Sequence, residues 1–198
     1  WAQAGNSPLK WYKQNTHGGG VRDPLIVHWP SRLADPGSIR TQFCHAIDIA
    51  PTVLAAVGIT QPEEVACVPQ MPVHGTSLLA TFGQADAAIS RGPQYFEMFG
   101  HRALVHEGWK AVSRHKAGVP YDDDVWELYH LDTDFSECRD LAHSYPQRLQ
   151  HMISLWWQEA ERNGVLPLDD RGASEMFRAS RRPGMPTSRR RFEYFPPV

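Results

Sequence analysis

Lys13 is the side chain whose neighbours best equip it for chemistry. It opens the stretch KQNTHGGGVRDPLIVHW, residues 13–29, where a lysine precedes a triple-glycine loop, an arginine and a short apolar run. A lysine ammonium is a compact point charge on a flexible stem. Set just before a glycine turn and a core strand, it could hold a ligand from a rigid support; a solvated lysine on a surface loop is the plainer alternative. Gly18, Gly19 and Gly20 can take φ > 0, and they let backbone approach a ligand or another backbone closely. Two histidines join the candidates for a binding mouth: His17, inside the glycine loop, and His101, which follows Gly100 at a tight turn between expected strands. For each, the alternative is a structural or exposed imidazole.

Other polar clusters read as structural. His45 reads as a packing or capping residue, and Arg22 as half of an ion pair with Asp23 or Asp48. Asp122, Asp123 and Asp124 could look like a metal site. Hard cations need ligands converging from several segments, so the run reads as solvated loop acids, and no metal site is expected in this chain.

These residues need elements to place them. Leu25, Ile26, Val27 and Trp29, ending at Pro30, have the length and flanks of an interior strand. Residues 41–58 carry a helix with Asp48 at its start, Pro51 in the first turn and Gly58 at its end; Ile49, Val53, Leu54 and Val57 share one face. The period then changes. Tyr95–Phe99, Ala103–His106, Trp109–Arg114 and Trp126–Leu131 are four short segments rich in aromatic or β-branched residues, separated by Gly100, by Glu107-Gly108 and by a longer loop. That pattern predicts an antiparallel meander. Residues 145–163 form a helix with the stripe Met152, Leu155, Trp156 and Ala160, and Gly164 follows it.

With 198 residues and seven tryptophans, the chain can bury a sizeable core. Its net charge of −2 excludes nothing, but residues 1–170 hold 13 Lys and Arg against 20 Asp and Glu, while residues 171–198 hold seven Arg against two acids. A basic tail of that kind can bind nucleic acid or an anionic membrane. Lacking a helical stripe, it reads instead as extended over a neighbouring surface or as a linker, and no nucleic-acid partner is expected. Cys44, Cys67 and Cys138 are odd in number and far apart, which argues against a disulfide framework and leans toward the cytoplasm. No apolar run approaches the roughly 20 residues of a membrane span. The chain begins at Trp1 with no initiator Met, so we expect a fragment of a longer protein.

Four strings, in order, resemble type I sulfatases of the alkaline phosphatase superfamily, most of all bacterial arylsulfatases. Lys13, Thr16, Gly19, Gly20, Val21, Arg22, Pro24 and Ile26 follow the motif K-x-x-T-x-E-G-G-[VI]-R-x-P-x-[IL], with Gly18 in place of its acid. His45 to Leu54 resembles the H-x-x-D-[IL]-x-P-T-[IL]-L helix, and His74 to Leu78 the D-G-x-S-L turn, with His replacing Asp. Glu127 to Asp132, with Glu137, Asp140, Leu141 and Ala142, resembles the late E-L-Y-D-L signature. The resemblance extends through residue 170.

This resemblance implies an α/β architecture: residues 1–92 as the C-terminal part of an alkaline-phosphatase-like sheet domain, residues 93–170 as a small antiparallel four-stranded sheet covered by a helix, and residues 171–198 as tail or linker. It implies that Lys13 binds the sulfate of a small-molecule sulfate ester; His17 and His101 remain the candidates that the residues themselves offer for the substrate mouth. Family members also use a formylglycine, made within C/S-x-P/A-x-R, and Ca2+ or Mg2+. The near match Cys67-Val68-Pro69-Gln70-Met71 has Met71 where Arg is required and follows the lysine motif instead of preceding it, so Cys67 reads as a loop cysteine. Paired metal-binding aspartates are absent as well. Nucleophile and metal are therefore expected in a missing N-terminal part of the same protein, leaving this chain inactive alone. The alternatives are a phosphate or phosphonate ester hydrolase of the same superfamily, and a non-enzymatic module binding a partner or polyanion.

Overall fold

The computed structural model describes residues 1–171, so the expected basic tail lies, past Arg171, outside the described residues. In chain order the elements are α1 (Ala2–Gly5), α2 (Gly18–Val21), a 3-10 turn at Ala46–Asp48, α3 (Ile49–Val57), β1 (Glu64–Val65), β2 (Val68–Pro69), α4 (Ala80–Gly83), β3 (Gln94–Met98), β4 (His101–His106), β5 (Trp109–Ser113), a 3-10 turn at Tyr121–Asp123, β6 (Trp126–His130) and α5 (Pro146–Arg162). Contacts divide the chain into two compact units, one made of residues 1–23 with 93 onward and the other of residues 24–92. The lysine–glycine stretch therefore packs with the late part of the chain.

In the first unit β3, β4, β5 and β6 form an antiparallel meander in sequence order. Two X-Gly turns close its first two hairpins. Phe99 and Gly100 have φ of 53° and 83°, and Glu107 and Gly108 have φ of 50° and 75°, the left-handed pairs that match strand twist. Alternation along the strands then sorts the residues onto two faces. On one face Leu104, Ala111 and Leu128 pack against Met152, Trp156 and Ala160 of α5. Arg102 is buried there too, ringed by Trp126, Trp156, Trp157 and Tyr121 and paired with Asp124. Pairing is what makes a buried guanidinium tolerable. Asp124 also meets Nδ1 of His115 at 2.8 Å, so the acid run expected to be solvated is, at this residue, a buried ion pair. The opposite face carries Ala103, Val112 and Tyr129, and it receives residues 10–18.

In the second unit the 3-10 turn that leads into α3 starts on a capping box: His45 accepts from the backbone of Ile47, and Asp48 accepts from that of His45. Asp48 is buried, bonds the Thr76 amide at 2.9 Å and pairs with Arg91. This corrects the partner expected for Arg22, whose guanidinium instead lies 4.2 Å from the Phe135 ring centroid. Gly58 ends α3 in the left-handed conformation. Leu25–Trp29 is apolar as expected, but it forms no strand among the described residues, and Ile26 is 87% exposed. A strand needs a neighbour to satisfy its backbone, and none is present here. Ile49, Val53 and Val57 of α3 are exposed likewise, and with Leu25–Trp29 they line a groove of about 420 Å³.

Candidate functional site

Residues 10–18 are fastened to the open face of the meander at five successive points. Lys10 Nζ donates to Glu127 Oε2 at 3.0 Å and to the Tyr129 hydroxyl at 2.6 Å. The Asn15 amide oxygen accepts from Arg114 Nε at 3.2 Å. Thr16 Oγ1 donates to the Arg102 carbonyl at 3.2 Å. His17 Nε2 meets Glu127 Oε2 at 2.9 Å. The Gly18 amide donates to both oxygens of Glu137, at 3.0 and 2.9 Å, and Lys110 Nζ holds that carboxylate at 2.6 Å.

Between these anchors the chain bends sharply. Trp11 and Gln14 have φ of 63° and 77°, left-handed values that a bulky side chain adopts only when its surroundings impose them. Two hydrogen bonds from Asn15, through its amide N–H and its side chain, return to the Tyr12 carbonyl at 3.1 and 3.0 Å and close the turn. Lys13 sits in that turn. It is exposed while Asn15, Thr16, His17 and Gly18 are buried, and it enters no ion pair among the described residues.

The glycines serve close approach. A Cβ on Gly19 would lie 2.0 Å from the Trp11 carbonyl oxygen, and one on Gly20 would lie 1.9 Å from that of Asn15. None of Gly18, Gly19 and Gly20 has positive φ, so of the two uses expected for them only close backbone packing is realised. Gly18 stands where the motif has an acid. The place its Cβ would occupy is 3.4 Å from Glu137 Oε1, so a carboxylate from far along the chain occupies that neighbourhood.

The electrostatics follow from burial and pairing. Burial pushes the Glu127 carboxyl up, but hydrogen bonds from His17, Tyr129 and Lys10 outweigh it and hold the pKa at about 2. Glu127 is thus ionised and locks its three donors. Burial, then the Glu127 hydrogen bond, pushes the Tyr129 hydroxyl well up. Burial also pushes the Lys110 ammonium down, against the pull of Glu137. His17 has no exposed surface. Expected at a substrate mouth, it is an anchor beneath the turn, and its Nδ1 has no hydrogen-bond partner among the described residues.

His101 is half-buried on the same face, and its Nδ1 accepts the His115 amide at 2.9 Å. That assigns its proton to Nε2, leaving a donor at the start of β4. Burial first, then the charge of Arg114, holds the His101 pKa below its ordinary value. Glu127, Glu137, Lys110, Asn15 and Arg114 drew no site role from sequence. The available signal was a charge at inward positions of aromatic strands, at Lys110 and Glu127.

The implied metal and formylglycine find no fit among these residues. No group of three or more His, Cys, Asp and Glu able to hold a metal exists among the described residues, and Asp124 is committed to Arg102 and His115. Cys67 is exposed at the β1–β2 turn with φ of 63°, and Met71 is 83% exposed.

A family model described as N-sulphoglucosamine sulphohydrolase, C-terminal, matches residues 9–160. An uncharacterized sulfatase of Schizosaccharomyces pombe is 30% identical over 188 residues, covering 86% of this chain and 30% of that protein. Human N-acetylgalactosamine-6-sulfatase is 28% identical over 130 residues, covering 66% of this chain and 22% of its own length. The solved structure of Ps i-CgsB superposes with a TM-score of 0.61 at 22% identity, over 86% of this chain and 36% of that one. The chain thus spans less than a third of the length of these curated relatives. The match to residues 9–160 takes in the anchored lysine turn, the meander and nearly all of α5, and on it this chain belongs to the N-sulphoglucosamine sulphohydrolase C-terminal family, as a C-terminal portion of a sulfatase.

Proposed function

We propose that this chain is the sulfate-binding C-terminal part of a sulfuric ester hydrolase of the arylsulfatase type, inactive without further sequence that supplies nucleophile and metal. Cleaving a sulfate ester displaces an alcohol from sulfur, and negative charge on the sulfuryl and leaving oxygens must be stabilised by groups fixed in advance. Lys13 supplies one such charge at a sulfuryl oxygen. His101 offers its Nε2–H at the start of β4 on the same sheet face, and His17 with Glu127 positions the turn from beneath. The observation that carries this reading is the presentation of Lys13: an exposed ammonium on a closed bend whose following residues are buried and bonded to β4, to β6, to Arg114 and to Glu137.

Steady-state hydrolysis of 4-nitrophenyl sulfate and 4-nitrophenyl phosphate, by the full-length protein and by this chain alone, tests the assignment. The expected result is sulfate cleavage by the full-length protein and none by the chain. Turnover by the chain alone would refute the division of labour, and a preference for the phosphate ester would move the protein to the phosphoesterase reading.

A further inference from the structure

We propose that Arg114 forms a second oxyanion subsite beside the Lys13 turn, taking a sulfate or carboxylate carried on the alcohol portion of the ester. The inference rests on the reading of Lys13 above. Three observations point to it.

Arg114 first stands in the right place. It follows β5 one step past the register pair Arg102↔Ser113, so it faces His101 across the ladder on the side of the sheet that receives residues 10–18. Second, it is held. Its guanidinium carbon lies 3.7 Å from the Trp11 ring centroid, and its Nε donates to Asn15 Oδ1 at 3.2 Å. That same Asn15 side chain bonds the Tyr12 carbonyl at 3.0 Å and closes the bend around Lys13. One amide group therefore couples the guanidinium to the lysine turn. Third, the charge is uncommitted. Arg40, Arg102 and Lys110 each pair with a carboxylate. Arg114 has no carboxylate partner among the described residues, and it is exposed.

A flexible surface arginine would be an indifferent ligand, but stacking and a bond to Nε leave a planar fork already oriented. Its two terminal nitrogens suit the paired oxygens of a sulfate or carboxylate. The Nε2–H of His101 is the neighbouring donor. Lys13 would thus take the reacting sulfate as a point charge, while Arg114 reads a second anion at a fixed offset, making it a specificity-determining residue.

The test compares two substrates of the full-length protein: 4-nitrophenyl sulfate, with one anionic group, and D-glucosamine-2-N,6-O-disulfate, with two. In R114Q kcat/KM should fall at least tenfold further for the disulfated sugar than for 4-nitrophenyl sulfate, the additional loss lying in KM; a loss common to both substrates measures the share of the Arg114–Asn15 bond in holding the Lys13 turn. N15A, which opens the clamp, should lower activity on both. Equal losses in R114Q on both substrates would reduce Arg114 to a prop for the turn and overturn the proposal, as would no change on either. Calorimetric binding of the disulfated sugar separates this question from catalysis. If the wild type cleaves neither substrate, the hydrolase reading fails. The subsite then stands if R114Q still weakens sugar binding at least tenfold, and it falls if the sugar does not bind or binds R114Q equally. A wild type that cleaves 4-nitrophenyl sulfate but neither cleaves nor binds the sugar also overturns it.

Discussion

Replacing Glu137 by methionine should show how the lysine turn is held. Glu137 is 2% exposed and keeps a left-handed φ of 56°, a conformation that disfavours any residue with a Cβ and here aims the carboxylate at the Gly18 amide and Lys110. In E137M the Lys110 ammonium is left buried without its counter-charge, which costs about 3–5 kcal/mol. The Gly18 amide also loses its acceptor, which costs about 1–3 kcal/mol more. In the double variant K110M/E137M only the amide is orphaned, since two apolar side chains replace the ion pair. The double variant should therefore be more stable than E137M by at least about 2 kcal/mol. For a unit of this size that corresponds to a Tm about 7–9 °C higher. Urea and thermal unfolding followed by tryptophan fluorescence at pH 7 measure the difference, because Trp109, Trp126 and Trp156 lie in the core of the same unit. A double variant no more stable than E137M would refute the reasoning. The Lys110–Glu137 contact would then be incidental and Gly18 held by something else.

Two further perturbations follow from the same anchors. The Glu127 pKa is depressed to about 2 from an ordinary 4.5, so its stabilising contribution is complete above pH 4.5 and is lost as pH falls toward 2; the urea midpoint of the wild type should fall more steeply across that window than that of E127Q, and parallel slopes would contradict this. Alanine at Gly20 drives a Cβ against backbone oxygen at 1.9 Å, so G20A should destabilise the unit by about 1–3 kcal/mol or more through overpacking, measured as a lowered urea midpoint, whereas an unchanged midpoint would mean that the turn can shift freely.

Much of the first unit was legible because its signals are local. Glu107-Gly108 and the glycine at 100 mark hairpin turns wherever they occur, and the Met152, Trp156, Ala160 stripe repeats at helical spacing, so the meander and α5 fall within a residue or two of expectation. Leu25–Trp29 was legible only as apolar. Becoming a strand depends on a neighbour that sequence periodicity does not supply, and the run lies exposed along a groove instead. The site divides the same way. The spacing of Lys13 to the glycines is local, and it is visible through family resemblance. Its supports are not local: Gly18 and Glu137 are 119 positions apart, and Asn15 and Arg114 are 99 apart. The triple glycine suggested left-handed backbone, yet the left-handed residues are Trp11 and Gln14, where tertiary packing overrides preference.

The sulfate-binding role of Lys13 is tested most directly by kcat/KM of K13A in the full-length protein, measured with 4-nitrophenyl sulfate beside a thermal melt. Loss of a preorganised charge at the sulfuryl group predicts a fall of about 10²–10³-fold, or about 2.7–4 kcal/mol, and an exposed side chain predicts an almost unmoved Tm. A kcat/KM within a few-fold of wild type would show that this ammonium does not meet the ester.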